Sequence, residues 1–172
     1  LKISVGDFNI QDGAKLEFKD TEAYADREVT DIIRGAGQLI KSGDQKMILS
    51  GTNIYTGGTE ITGGILQGDR AGLGATDGLF TVNAAEGEAD RGTLTFSDAD
   101  DSENWDWNGQ TSGDGFVRKE GASTLILTGD GFTHTGGTDV AEGSLRGSPE
   151  QLGASAISLA GQLEIIDQGV DS

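Results

Sequence analysis

The chain has 172 residues, enough for one ordinary domain, yet only 34% are hydrophobic and 6% aromatic, while 29 are Gly and one is Pro. That balance excludes a large helical core and requires many tight turns. With 29 Asp and Glu against 12 Lys and Arg, a formal charge of −17, the surface repels nucleic acid and anionic lipid; the lack of Cys excludes disulfides, thiol nucleophiles and thiolate metal sites.

From the N-terminus, the chain opens at Leu1 without an initiator Met or a signal peptide, and no apolar run is long enough to cross a bilayer. It reads as a piece of a longer protein. Leu16 and Phe18 occupy alternate positions of a short strand, whereas the stretch from Ala23 to Arg34 lacks the continuous apolar stripe of a helix. Alternating runs bounded by Gly, Asn or Asp predict strands at Lys46–Ser50, Thr59–Thr62, Leu79–Asn83, Thr93–Phe96, Thr124–Thr128 and Ala156–Leu159. Ser148–Leu152 is a second short helical candidate, and Gln162–Ile165 looks like a further version of the strand at Leu16 and Phe18.

Setting Gly35 against Gly113, 78 positions on, also pairs Gly37 with Gly115, Lys41 with Lys119, Gly43 with Gly121, Leu49 with Leu127 and Gly51 with Gly129. One extra residue near His134 moves the offset to 79, which aligns Thr56, Gly57, Gly58 and Thr59 with Thr135, Gly136, Gly137 and Thr138. The chain is therefore expected to be one segment, residues 1–172, holding two copies of a unit of about 78 residues, approximately 13–91 and 92–169. Short strands with such a long period predict an all-β solenoid, a parallel β-helix of about seven or eight coils with roughly 20 to 25 residues each. The two Thr-Gly-Gly-Thr runs are its corners, where paired Gly allow backbone angles closed to other residues, with Ile54 or Tyr55 in one copy and Phe132 in the other placed in the core. Open strand edges at the two ends of such a solenoid need a cap or neighbouring coils.

The two stretches GAGQLIKSGDQKMILSGTNIYTGGTEITGGILQG, from Gly35, and GDGFVRKEGASTLILTGDGFTHTGGTDVAEGSLRG, from Gly113, resemble the autotransporter-associated β-strand repeat of Gram-negative passenger domains. That resemblance implies a right-handed parallel β-helix, secreted by the type V route and displayed on the bacterial surface or released from it. It further implies a C-terminal translocating barrel that this sequence does not contain. A Cys-free chain suits passage through a narrow pore in extended form.

Candidate site residues are few. The acids are scattered, so no pair is singled out for glycosidase chemistry, and His134 has no second imidazole to complete a metal site or a triad. The run from Asp98 to Trp107 is rich in oxygen ligands but matches no calcium loop. Trp105 and Trp107 share one face of a strand and form the candidate recognition pair, although Val29 at the position equivalent to Trp107 argues for core there. Lys41 and Lys119 are expected to cover corners or relieve acid repulsion. The function expected is a surface-displayed or secreted passenger segment, a structural stalk and adhesion surface, with no catalytic residue, metal or cofactor. Its partners would be neighbouring coils, a host-cell protein or glycan, or a second copy. The alternatives are an autochaperone segment that nucleates passenger folding and, from a different class, a carbohydrate-active β-helix enzyme.

Overall fold

The computed structural model describes residues 2–19, 26–74, 78–84, 91–98 and 104–166. The first coil consists of β1 (Lys2–Ile3), β2 (Phe8–Ile10) and β3 (Lys15–Lys19), and the second of β4 (Arg27–Val29), β5 (Ile33–Gly35) and β6 (Gln38–Ser42). The third holds β7 (Lys46–Leu49), β8 (Ile54–Tyr55) and β9 (Thr59–Ile61), and the fourth β10 (Ile65–Gly68) and β11 (Leu79–Val82). Then come β12 (Thr93–Ser97), β13 (Trp105–Trp107) and β14 (Gln110–Ser112) in the fifth, followed by β15 (Phe116–Glu120), β16 (Thr124–Leu127) and β17 (Gly131–Phe132) in the sixth. The seventh contains β18 (Thr138–Val140), β19 (Ser144–Gly147) and the single-turn helix α1 (Pro149–Leu152), before β20 (Ile157–Leu159) and β21 (Gln162–Ile165).

Every strand pair is parallel, and each strand lies on its counterpart one coil away. One face is an eight-stranded sheet, β1-β4-β7-β10-β12-β15-β18-β20; a second has six strands, β3-β6-β9-β11-β14-β17. The third face is split into β2-β5-β8 and β13-β16-β19-β21, and among the described residues no strand of that face lies between β10 and β11. The molecule is a β-solenoid of about seven turns, as the alternating strands and the long repeat predicted. Coil length varies: Leu66 follows its ladder partner Met47 by 19 residues, whereas Leu94 follows Leu66 by 28.

Alternate residues point inward and stack on like positions of the next coil. Met47, Leu66, Leu94 and Val117 form one such column, all with no exposed surface. A second column, Leu39, Thr59, Phe80, Thr111 and Phe132, alternates apolar side chains with threonines. The predicted strands at 46–50, 59–62, 79–83, 93–96, 124–128 and 156–159 are all present within one residue at either end. The stretch from Ala23 to Arg34 supplies β4 and the start of β5 among its described residues. Ser148 caps α1, its hydroxyl accepting from Gln151 N while the Gln151 side chain accepts from Ser148 N. The equivalent turn in the first copy is capped by Asp69, whose carboxylate accepts from Gly72 N at 2.6 Å.

The two copies do not sit on the same faces. β6 belongs to the six-stranded sheet but its sequence equivalent β15 to the eight-stranded one; β7 is in the eight-stranded sheet and β16 in the split face; β9 and β18 shift in the same way. Counted at three positions per coil, with the interval between β10 and β11 as the middle position of the fourth coil and α1 as the last of the seventh, equivalent strands stand ten positions apart, or three turns and a third. β12 and β21 are also ten positions apart.

Candidate functional site: corners, buried cations and outer faces

The corners owe their shape to close stacking. A Cβ on Gly57 would lie 2.3 Å from Gly37 O, and one on Gly136 would lie 2.1 Å from Gly115 O, so a side chain at either would drive adjacent coils apart. The next residue in each corner, Gly58 or Gly137, has φ of +83° or +119°, which L side chains rarely adopt. Thr56 and Thr135 face solvent, and their backbone N–H groups donate to Gly35 O and Gly113 O at 2.9 and 2.8 Å. Thr59 and Thr138 turn inward, buried at the start of β9 and β18.

Inside each corner a polar aromatic side chain meets the inward threonine. Tyr55 Oη lies 2.6 Å from Thr59 Oγ1, and His134 Nε2 lies 3.0 Å from both Thr138 Oγ1 and Gly137 O. His134 is thus the structural counterpart of Tyr55, and the extra residue near it falls among 130–133, where Asn53 of the first copy has given way to Phe132. Asn53 accepts from Ile33 N at 2.8 Å and donates to Gly72 O at 2.6 Å, whereas Phe132 buries an aromatic ring. Of the two residues expected in the core of the first copy, Tyr55 is inside and Ile54 is 56% exposed. Burial pushes the Tyr55 phenol up to about 12, against a smaller opposite effect of the Thr59 hydroxyl.

Lys41 and Lys119 do not cover the corners from outside. They are among the most buried side chains of the protein, 0% and 1% exposed. Lys41 Nζ donates to Ser42 O at 2.8 Å, Gly43 O at 3.0 Å and Gly63 O at 3.4 Å. Lys119 Nζ donates to Glu120 O at 2.6 Å and Gly121 O at 2.9 Å, and forms an ion pair with Asp98 Oδ2 at 3.1 Å. The same carboxylate oxygen accepts from Ser123 N at 3.1 Å and from the Ser123 hydroxyl. Each lysine therefore turns back on its own corner, supplying donors to carbonyls that point away from the ladder.

Trp105 and Trp107, the candidate recognition pair of the sequence, are also interior, 4% and 3% exposed. The Trp107 and Phe96 rings pack edge to face with centroids 4.9 Å apart; Trp105 meets Phe96 at 5.7 Å, and Phe80 meets Trp107 at 5.4 Å. Both indole N–H groups are buried without a hydrogen-bond partner. Most of the acidic run from Asp98 to Glu103 lies outside the described residues; its first member, Asp98, serves Lys119 and Ser123.

On the outer faces, cations pair with acids of the adjacent coil: Arg34 with Asp7 at 2.9 Å, Lys46 with Asp26 at 3.8 Å, Arg118 with Asp139 at 3.6 Å and Arg146 with Glu164 at 2.6 Å. With 29 acids against 12 Lys and Arg, two of the lysines buried, the charged surface is dominated by acids. Among the described residues, no three His, Asp or Glu side chains are grouped so as to hold a metal ion. No helix among them is long and apolar enough to cross a membrane.

The family model of the passenger-associated-transport-repeat matches the chain twice, at residues 39–67 and 117–146. Both matches run from the strand bearing the buried lysine, through the Thr-Gly-Gly-Thr corner, to the strand beyond it. Over 159 residues the chain is 38% identical to a protein described as adhesin BmaC autotransporter, from Brucella suis biovar 1 (strain 1330). The aligned part is 84% of this chain but 4% of that much longer relative. No solved structure matches the chain.

Proposed function

This chain belongs to the passenger-associated-transport-repeat family and is a segment of an autotransporter passenger, and from that premise we propose that it serves as a rigid stalk whose outer faces take part in adhesion. The observation that carries this reading is the parallel ladder of eight strands running the length of the solenoid over a filled interior. Chemistry-bearing side chains that repeat between the copies, Lys41 and Lys119, are consumed by the corners, which supports a structural role and not a catalytic one. The adhesin named among its relatives supports contact with a host-cell protein or glycan and a place on the cell surface or in the secreted fraction.

A second reading, that these coils fold early and template the rest of the passenger, draws support from the aromatic cluster of Phe80, Phe96, Trp105, Trp107 and Phe132 in the middle coils. Deleting Leu1 to Ser172 from the full-length parent separates the two. Retained surface display and protease resistance with lost binding to host cells supports the adhesive stalk; collapse of display and resistance overturns it in favour of the folding role. Retained display with unchanged binding removes adhesion from this segment.

A further inference from the structure

We propose that His134 is an acid-sensitive latch that holds the fifth, sixth and seventh coils together at one corner. The imidazole is 1% exposed and bonded at both nitrogens. Nδ1 lies 3.1 Å from Thr111 Oγ1 of β14, and Nε2 lies 3.0 Å from Gly137 O and from Thr138 Oγ1 at the entry to β18. A carbonyl only accepts, so Nε2 carries the proton and donates to Gly137 O, and Nδ1 accepts from the Thr111 hydroxyl. The neutral ring thereby joins a strand of one coil to the corner that opens the coil two levels on.

A second proton strains this arrangement, because the Thr111 hydroxyl must turn from donor to acceptor and the ring becomes charged. Protonated Nδ1 is a donor, facing a Thr111 hydroxyl that was itself donating, and the new charge sits against two hydroxyls, one carbonyl and the edge of Phe132, whose centroid is 5.3 Å away. The ionisable groups on the surrounding elements are directed elsewhere. Asp139 of β18 points outward to Arg118 of β15, Lys119 of β15 is held by Asp98, and Asp114 on the turn before β15 accepts from Ala84 N; Asp130 on the turn before β17 is exposed, and β14 and β17 carry no ionisable side chain. Desolvation holds the ring below its ordinary 6.5, opposed by the smaller effect of the Gly137 carbonyl. The unfolded or opened corner therefore binds the proton first, and the latch weakens as pH falls below 6.5, down to the folded value. Tyr55 fills the same place in the first copy with a phenol that stays neutral throughout this range, so the device belongs to one copy only.

His134 is the single histidine of the chain, so its ring signals in a proton-carbon NMR titration are unambiguous. The test pairs that titration with hydrogen exchange of β18 and β19, corrected for intrinsic rates, in the 172-residue chain and in His134→Gln and His134→Tyr variants. The expected result is a ring that stays neutral below 6.5 and an opening of β18 that rises by up to about tenfold per pH unit in the parent relative to both variants. If the ring titrates at its ordinary midpoint while protection is unchanged, or if the variants share the acid profile of the parent, the latch is overturned. Should His134→Tyr fail to fold, His134→Gln and the ring titration still decide the matter.

Discussion

Replacing Lys119 by Met tests the claim that the repeated lysine is an internal corner staple. Methionine keeps most of the volume and the unbranched stem, so packing is nearly conserved. What is lost is the donor to Glu120 O and Gly121 O and the partner of Asp98, which keeps, among the described residues, the Ser123 N–H and hydroxyl. Removing one member of a buried pair costs about 3–5 kcal/mol; because Ser123 continues to serve Asp98, the lower end, about 3 kcal/mol, is expected. For a chain of this size that lowers Tm by about 6–12 °C, out of a total stability of about 5–15 kcal/mol. Urea titrations followed by the fluorescence of Trp105 and Trp107, the two tryptophans of the chain, give the free energy directly. Asp98→Asn in the Lys119→Met background should cost little more than Lys119→Met alone, a coupling of about 1.5–3 kcal/mol. A loss under about 1 kcal/mol with an unchanged urea slope would refute the staple and return Lys119 to the role of a surface cation.

Trp107→Ala should cost about 3–5 kcal/mol by leaving a cavity beside Phe80 and Phe96, while any binding measured on the remaining folded fraction stays at the parent level; loss of binding without loss of stability contradicts the interior placement. Gly136→Ala places a methyl against Gly115 O, a backbone atom of the coil below, and should cost at least about 1–3 kcal/mol in thermal melts. A neutral substitution there means that the coils are not stacked this closely. Tyr55 contributes stability that is fully present below pH 10 and is lost as pH rises towards about 12, since the unfolded phenol ionises first. Alkaline unfolding should accordingly be shallower in Tyr55→Phe than in the parent, and identical curves would count against the burial of the Tyr55 phenol.

The solenoid was legible because strand alternation and Gly corners are local properties that recur along the chain, and the Thr-Gly-Gly-Thr runs mark two close approaches between coils. What distance brings together was not legible. A lone Lys in an acidic sequence reads as solvated, and only folding carries Asp98 and Ser123, 25 residues apart, to the same ammonium corner. The period of two placed Trp105 and Trp107 on one face without saying which face is inside; Val29 at the position equivalent to Trp107 was the available clue, and it pointed the right way. Tyr55 and His134 align directly at the offset of 79, so their shared place could be read once the slip is put ahead of His134. β14, Gln110–Ser112, escaped notice because a strand that buries only a Thr shows no apolar alternation.

The extra third of a turn between equivalent strands gives successive repeat units different compass bearings about the solenoid axis. Each unit advances about 16 Å and every third unit regains its bearing after about 48 Å, at about 4.8 Å per coil. In a stalk extended by further units of this kind, a flat receptor lying along one side would meet every third copy of a given motif. Multivalent contact with such a stalk is governed by this winding, since avidity is gained only where geometry lets two copies be engaged at once.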